Sequence, residues 1–489
     1  MKRLMWALCF LFTIHSVWGN YHLNKLQKYS SPNNANGFTN AADFGFLPSE
    51  SGINNTKALQ AAVDKGGTII ISNAGTYKLA GTVYIGDSTS LIFGDGTTIQ
   101  KVAEKGAFCQ VFLNKGALSR TYNYHISIVG LNLQVNAVEK GWDDAIYGLR
   151  GQVAFFYAKD VKIERFRCND LGTKQFCLHF CTFEDLLIND VIIKGKKDGI
   201  HFGKGKRFKI SNAQFQTADD AIALAAGDWV TANPEFGDIE DGIIENCYDL
   251  RTEHWDGAFA KIVASGWTDW KEGIEVKHGD AVVADGKIYR VLAQIDGKKY
   301  KSVTKPTFDS GIKELDGIKW TFHQSDTIHT AVVRKVVFRD IFLESMRVPF
   351  QIMCYDINYA HSYYSGAPMP VQGEISLENV TVVSDNKKAL VNISTPIDIL
   401  TIRNSTLKNN SIDFRHAKDF DTYPETHISL SNCIYKSSGV FTLIKNNSKG
   451  KEIFLKTNGS IELGKSFSVK VEPGLGTIHI DSDLTGLKK

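Results

Sequence analysis

The dominant pattern along the chain is a short alternation of apolar and polar residues, then a single Asn or Asp, then a second short alternation. It occurs at 186–193 (LLINDVII), 208–215 (FKISNAQF), 243–248 (IIENCY), 337–343 (VFRDIFL), 375–382 (ISLENVTV), 402–407 (IRNSTL) and 430–435 (LSNCIY). The polar residue falls at Asp190, Asn212, Asn246, Asp340, Asn379, Asn404 and Asn432, in steps of 22, 34, 94, 39, 25 and 28 residues. A period of two sends one set of side chains inward and the other outward on a strand. Asn and Asp suit a sharp bend because they bond to nearby backbone and tolerate left-handed dihedrals. Units of this length cannot bury their inner face alone and must stack. The repeat therefore predicts an all-β solenoid, a right-handed parallel β-helix. A β-sandwich would have similar strands without the recurring coil length.

The 94-residue step predicts a coil plus an insertion. At 270–324 the pattern changes to short hairpins with Asp-Gly and Gly-Lys turns, which predicts a small inserted β module between solenoid parts at 20–269 and 325–489. Trp270 and Trp320 frame it, favouring a contact role over simple elaboration. Upstream, 55–63 (NTKALQAAV) reads as a short capped helix covering the open end of the solenoid, and 66–77 (GGTIIISNAGTY) as the start of the first coil. Strands beyond Lys445 read as the last coils or a closing sheet. Residues 1–19 read as a cleaved signal peptide, with Lys2 and Arg3 before an apolar run and Gly19 at the cleavage site, so a secreted or periplasmic protein is expected.

Charge narrows the partners. The 489 residues carry 56 Lys and Arg against 53 Asp and Glu, two of the cations lying in the leader, so no nucleic-acid partner is expected. No apolar run after the leader is long enough for a membrane span. Beyond Cys9, the cysteines are Cys109, Cys168, Cys177, Cys181, Cys247, Cys354 and Cys433, an odd and scattered set that is no disulfide framework. Cys177 and Cys181 stand four apart without a second pair, so neither a metal nor a cofactor is expected. A monomer is expected.

Two stretches set acids beside small residues: Lys197-Asp198-Gly199-Ile200-His201 and Thr217-Ala218-Asp219-Asp220-Ala221. Asp198 and Asp219 are 21 residues apart, nearly the 22-residue step from Asp190 to Asn212. They are therefore expected at equivalent places on neighbouring coils, about 5 Å apart at strand spacing. Crowded carboxylates push one pKa upward and leave a protonated acid beside ionised bases, the pair that glycosidic hydrolysis needs.

The run 198–224 (DGIHFGKGKRFKISNAQFQTADDAIAL) resembles the core of glycoside hydrolase family 28, the polygalacturonases, with an Asp-Gly motif on one coil and paired aspartates on the next. DFG at 43–45, the helix, the GGTIIISNAGTY segment and 336–355 (VVFRDIFLESMRVPFQIMCY) are similar to other parts of that superfamily. The resemblance covers most of 40–440 outside the insertion. It implies Asp219 as general acid, with Asp198 and Asp220 holding the attacking water. It also implies inversion at the anomeric centre, which needs carboxylates about 6.5–9.5 Å apart. Against the family pattern, His254 in Glu253-His254-Trp255-Asp256-Gly257 is a loose counterpart of a Gly-His-Gly motif. Lys261 stands where an Arg is expected, and Ala221 replaces a cysteine.

Further residues read as substrate-binding. His201 either faces the substrate with Asp198 or sits in the core. Trp229, Trp255, Trp267 and Trp270 fall within a 42-residue span after the aspartates and offer indole faces for stacking on sugars, with Tyr355 and Tyr359 on a distal coil. Lys194, Lys196, Lys197, Lys204, Lys206 and Arg207 either pair with an acidic glycan or solubilise coil turns. The leading expectation is a secreted glycoside hydrolase acting on a polysaccharide or oligosaccharide, acidic and pectin-like in the family's manner. One rival is a lyase on the same scaffold, its carboxylates binding Ca²⁺ and Lys261 or Lys204 acting as base. The other is a non-catalytic glycan-binding β-helix.

Overall fold

The computed structural model describes residues 37–484 and 487–488 except 229–231, 254–255, 293–296, 355, 358–359, 384–387, 416–424, 437–439, 449–450, 464–467 and 475. The leader, Trp229, His254, Trp255, Tyr355 and Tyr359 lie outside the described residues. The chain forms a parallel β-helix in which, among the described residues, 31 strands join one continuous sheet. The coils that matter most are built from β1 (Gly151–Leu171), β2 (Phe176–Gly195), β3 (Ile200–Phe202), β4 (Gly205–Thr217), β5 (Ile222–Ala225), β6 (Ile239–Asp249) and β7 (Ala260–Val263). Stacking buries one alternating set of side chains. Val161, Leu186, Phe208, Gly242, Val336 and Ile375 form one inward column across successive coils. Gly242 is required in that column, because a Cβ there would lie 2.1 Å from the Phe208 ring.

All seven bend residues identified from the repeat adopt left-handed φ values, between 50° and 54°. Their side chains stack as well: Asn246 Nδ2 donates to Asn212 Oδ1 at 2.6 Å, and Asn212 Nδ2 to Asn189 Oδ1 at 2.7 Å. The same bend continues upstream at Arg165 (φ 52°) and Gly130 (φ 78°), whose residue types break the Asn/Asp pattern. The coil series begins earlier than expected, at Phe38–Asn40, which pairs in parallel with 68–70. The helix α1 (Gly52–Val63) also starts earlier. Ser51 is its N-cap and accepts from the Asn54 N–H, whereas Asn55 is buried and bonds to Leu47. Its Ala58, Leu59, Ala62 and Val63 join the solenoid core.

The 94-residue step spans a single coil, since β6 pairs directly with β13 (Val333–Leu343), which leads to β14 (Phe350–Met353). Between them β8 (Thr268–Asp269), β9 (Ala281–Ala284), β10 (Lys287–Val291), β11 (Ile312–Leu315) and β12 (Ile318–Ser325) form a separate sheet, ordered β8-β9-β10-β12-β11. Alternation divides this sheet between two cores. Val282, Tyr289, Ile318 and Trp320 pack within the module, while Ala281, Val283 and Ile288 pack onto the solenoid. Trp320 is fully buried, so it offers no contact surface to a ligand. Trp270 is half-buried and donates its indole N–H to Ser302 Oγ at 2.9 Å. Among the described residues no helix is long and apolar enough to cross a membrane. The seven cysteines among the described residues are free thiols.

Candidate active site

The site is made by the two turns that enter β3 and β5. Backbone bonds set their register: Cys177 N–H donates to Asp198 O, and Gly199 N–H to Asp220 O, both at 2.9 Å. Asp198 therefore stacks on Asp220, one full 22-residue coil later, and not on Asp219 as the 21-residue spacing suggested. Lys197 stacks on Asp219 instead, and the two form a short ion pair. The next coil closes over the cluster at Gly257, where a Cβ would lie 2.4 Å from Asp220 N and 2.5 Å from Asp219 C. Only glycine fits there. Nothing in the EHWDG segment marked this position from sequence.

One carboxylate oxygen from each of Asp198, Asp219 and Asp220 lies within 4.8 Å of the others. This is tighter than the spacing expected for an inverting pair of acids. Asp198 Oδ2 lies 2.9 Å from His201 Nδ1, and Oδ1 lies 3.5 Å from Lys197 Nζ. Asp220 Oδ1 accepts from the Ala258 N–H at 2.8 Å, and Oδ2 pairs with Lys261 Nζ at 2.6 Å. Asp219 Oδ1 accepts from the Asp220 N–H at 3.0 Å, and its backbone carbonyl accepts from Arg347 Nη1 at 2.6 Å. Asp198 and Asp220 are buried, and Asp219 is the member most open to solvent. Arg150 stacks its guanidinium over Phe176 at 4.7 Å, and its charge acts on both Asp198 and Asp219. Neither Arg150 nor Arg347 carried a sequence signal.

Electrostatics separates the three acids. Burial, reinforced by the charge of Asp219, pushes Asp198 up to about 6 against Lys197, Lys261 and Arg150. Burial also pushes Asp220 up to about 6; Lys261 opposes it, and Asp219 and Asp198 add to it. Burial raises Asp219 too, but Lys197 and Lys261 outweigh it and hold this carboxyl below its usual value. The general-acid role that the resemblance implies for Asp219 thus requires a proton from its neighbours. Lys197 is held charged, because Asp198 and Asp219 together outweigh its burial.

A folded-state pKa above the unfolded value makes the native state the tighter proton binder. The contribution of Asp198 and Asp220 to stability is therefore complete below about pH 4 and lost as the pH rises through about 6. Asp198→Asn removes one buried charge and keeps an acceptor for His201. It is expected to melt a few degrees above the native protein at pH 8, with the gap closing toward pH 4. Melting curves at the two pH values check this; a variant less stable at both would contradict it.

Other expectations are corrected. His201 is fully buried beneath Phe176, ring stacked on ring at 4.0 Å, so it contacts Asp198 and cannot touch a substrate. Trp267 is also buried, packed on Phe236 with its indole N–H donating to Ile328 O at 2.7 Å. It is a core residue, because the inserted module covers the face on which it lies. Lys261 does reach the cluster. The basic run is largely spent within the protein: Lys197 on Asp219, Lys206 and Arg207 on Glu184, Arg207 also on Asp185, and Lys204 on Asp326. Lys204 lines a separate groove with Tyr122 and Asp326, beyond the other end of β3, which removes it as a base for this site. The three carboxylates span a space that could take a cation, but the ammonium groups of Lys197 and Lys261 already lie against them. Ca²⁺ takes about six to eight oxygen ligands, so this donor set fits it poorly.

No family model matches the chain, and no curated protein matches it. Among solved structures, the chain is similar to a family 28 exopolygalacturonase of Yersinia enterocolitica, with 12% identity, TM-score 0.47, and coverage of 91% of this chain and 78% of that one. An exopolygalacturonase of Thermotoga maritima gives 10% identity and TM-score 0.43, covering 94% and 96%. A mannuronan C-5 epimerase A-module of Azotobacter vinelandii gives 12% identity and TM-score 0.44, covering 92% and 98%.

Proposed function

We propose that the protein is an exported glycoside hydrolase that cleaves a polysaccharide or oligosaccharide with Asp198, Asp219 and Asp220. The observation that carries this reading is the compact carboxylate cluster, flanked by Lys197 and Lys261, at the mouth of two adjacent coils. Three interacting acids titrate as a unit. In mildly acidic solution the cluster holds a shared proton, and Asp219, its most exposed member, passes it to the glycosidic oxygen. Two hydrogen bonds of about 2.8 Å span about 5.6 Å, so oxygens within 4.8 Å can share one water. Asp198 and Asp220 hold that water as the nucleophile and take up its proton; inversion of the product rests on the family resemblance alone, since oxygens within 4.8 Å are closer than the usual inverting spacing of about 6.5–9.5 Å. Turnover therefore falls as the pH rises above about 6, where the cluster loses its proton.

A panel of neutral and acidic polysaccharides, assayed for new reducing ends with and without a chelator, tests the reading. Chelator-resistant release is expected on at least one glycan. A lyase would give an unsaturated, ultraviolet-absorbing product, and a binding protein would retain glycan without cleaving any. Either result overturns the proposal. Proton NMR of the first product tests inversion separately.

A further inference from the structure

Beneath Asp198 lies a chain of buried polar groups whose donor directions are all determined. The Arg150 backbone N–H lies 3.2 Å from His179 Nδ1. A backbone N–H can only donate, so Nδ1 carries the lone pair and the proton of neutral His179 is on Nε2. His179 Nε2 then donates to Asn233 Oδ1 at 3.0 Å. The amide of Asn233 cannot be reversed, because its Nδ2 faces the carbonyl of Ala225 at 2.9 Å, which only accepts. The same Nδ2, which can only donate, lies 3.5 Å from His201 Nε2. His201 Nε2 is therefore an acceptor, its proton is on Nδ1, and Nδ1 donates to Asp198 Oδ2 at 2.9 Å.

His179, His201 and Asn233 are fully buried. A Cβ on Gly203 would lie 2.5 Å from Asn233 Oδ1, so the glycine is what admits the amide. The charged groups acting on His201 are Asp228, Arg150, Lys197 and Lys261, with Asp198 in direct contact. Burial dominates them and holds His201 neutral, pushed down to about 3, and burial likewise holds His179 neutral.

We propose that His179, Asn233 and His201 form a one-way hydrogen-bond relay that fixes Asp198 as a proton acceptor, with His201 as its positioning residue. The relay acts against the burial that raises Asp198 and presents Oδ2 as an acceptor, whichever of the three acids carries the shared proton. Its catalytic consequence rests on the hydrolase reading above; its hydrogen-bond directions do not. His201 never meets the substrate, and it belongs to the site through Asp198 alone.

Nitrogen-15 NMR of the histidine rings in the native protein tests the directions without any assay. His201 protonated on Nδ1 and His179 protonated on Nε2 are expected, and any other pair of tautomers overturns the relay. His201→Phe keeps a ring against Phe176 and removes the donor. It is expected to lower kcat about ten- to a hundred-fold with KM unchanged, and to move the acidic limb of the pH profile upward. His201→Asn places an amide N–H where Nδ1 was and should recover most of the loss, whereas His201→Gln, which mimics Nε2, should not. Equal activity of the Asn and Gln variants, or a loss confined to KM, overturns the positioning role. Failure of the native protein to cleave any glycan overturns the hydrolase reading instead, and the tautomers still decide the relay.

Discussion

Asp219→Asn is expected to lower kcat about a hundred- to ten-thousand-fold, the usual contribution of general acid catalysis. The substitution keeps the volume of the side chain and an Oδ1 acceptor for the Asp220 N–H. Lys197 loses its closest partner but keeps Asp198 at 3.5 Å. The fold therefore has no reason to open, and a melting temperature close to that of the native protein is expected, along with undiminished glycan binding. Besides that ion pair, the substitution removes the exposed carboxylate through which the cluster can pass a proton to a leaving oxygen. A variant retaining more than a tenth of native turnover would remove Asp219 from that role.

Arg347→Ala is expected to cost about 3–5 kcal/mol of stability, as when one partner of a buried ion pair is removed. The Arg347 guanidinium is buried against the carboxylate of Asp249, with Nε 3.1 Å from Oδ2. Burial pushes Asp249 up even with that partner in place, so the alanine variant leaves an acid that must ionise alone or take up a proton. The loss should accordingly be smaller at pH 5 than at pH 8. Arg347 does a second thing: Nη1 donates to the carbonyls of Thr217 and Asp219, fixing the turn that presents the catalytic acid. Combining Arg347→Met with Asp249→Leu replaces the pair with apolar packing and should recover most of the stability but little of the activity. Denaturant titration and kcat on the same samples separate the two effects. Recovery of both would show that Arg347 acts only through stability.

The bends were legible in the sequence because a left-handed residue in every coil selects Asn or Asp, and seven coils obey that rule. The upstream coils were not, since Arg165 and Gly130 meet the same requirement with residue types that carry no pattern. The acids could be found because paired aspartates beside small residues are unusual in a strand repeat. Their pairing was displaced by one residue, since spacing alone cannot distinguish Asp198 over Asp219 from Asp198 over Asp220; the backbone register decides it. Trp267 was misread for a different reason. A tryptophan beside glycines resembles an exposed platform until the module that covers it is placed. Arg150, Arg347 and Gly257 were invisible because each acts from a separate coil, and a single chain gives no sign that three distant segments meet.

The most direct test of the central claim is to digest a cleaved glycan in water enriched in heavy oxygen and to weigh the first products. The cluster as described adds one solvent oxygen to the anomeric carbon of the fragment that gains a new reducing end and none to the fragment that keeps the leaving oxygen, and Asp219→Asn suppresses that label along with the cleavage. Products that lack solvent oxygen and carry a double bond, or uncut chains with altered sugar configuration, would contradict hydrolysis at this site.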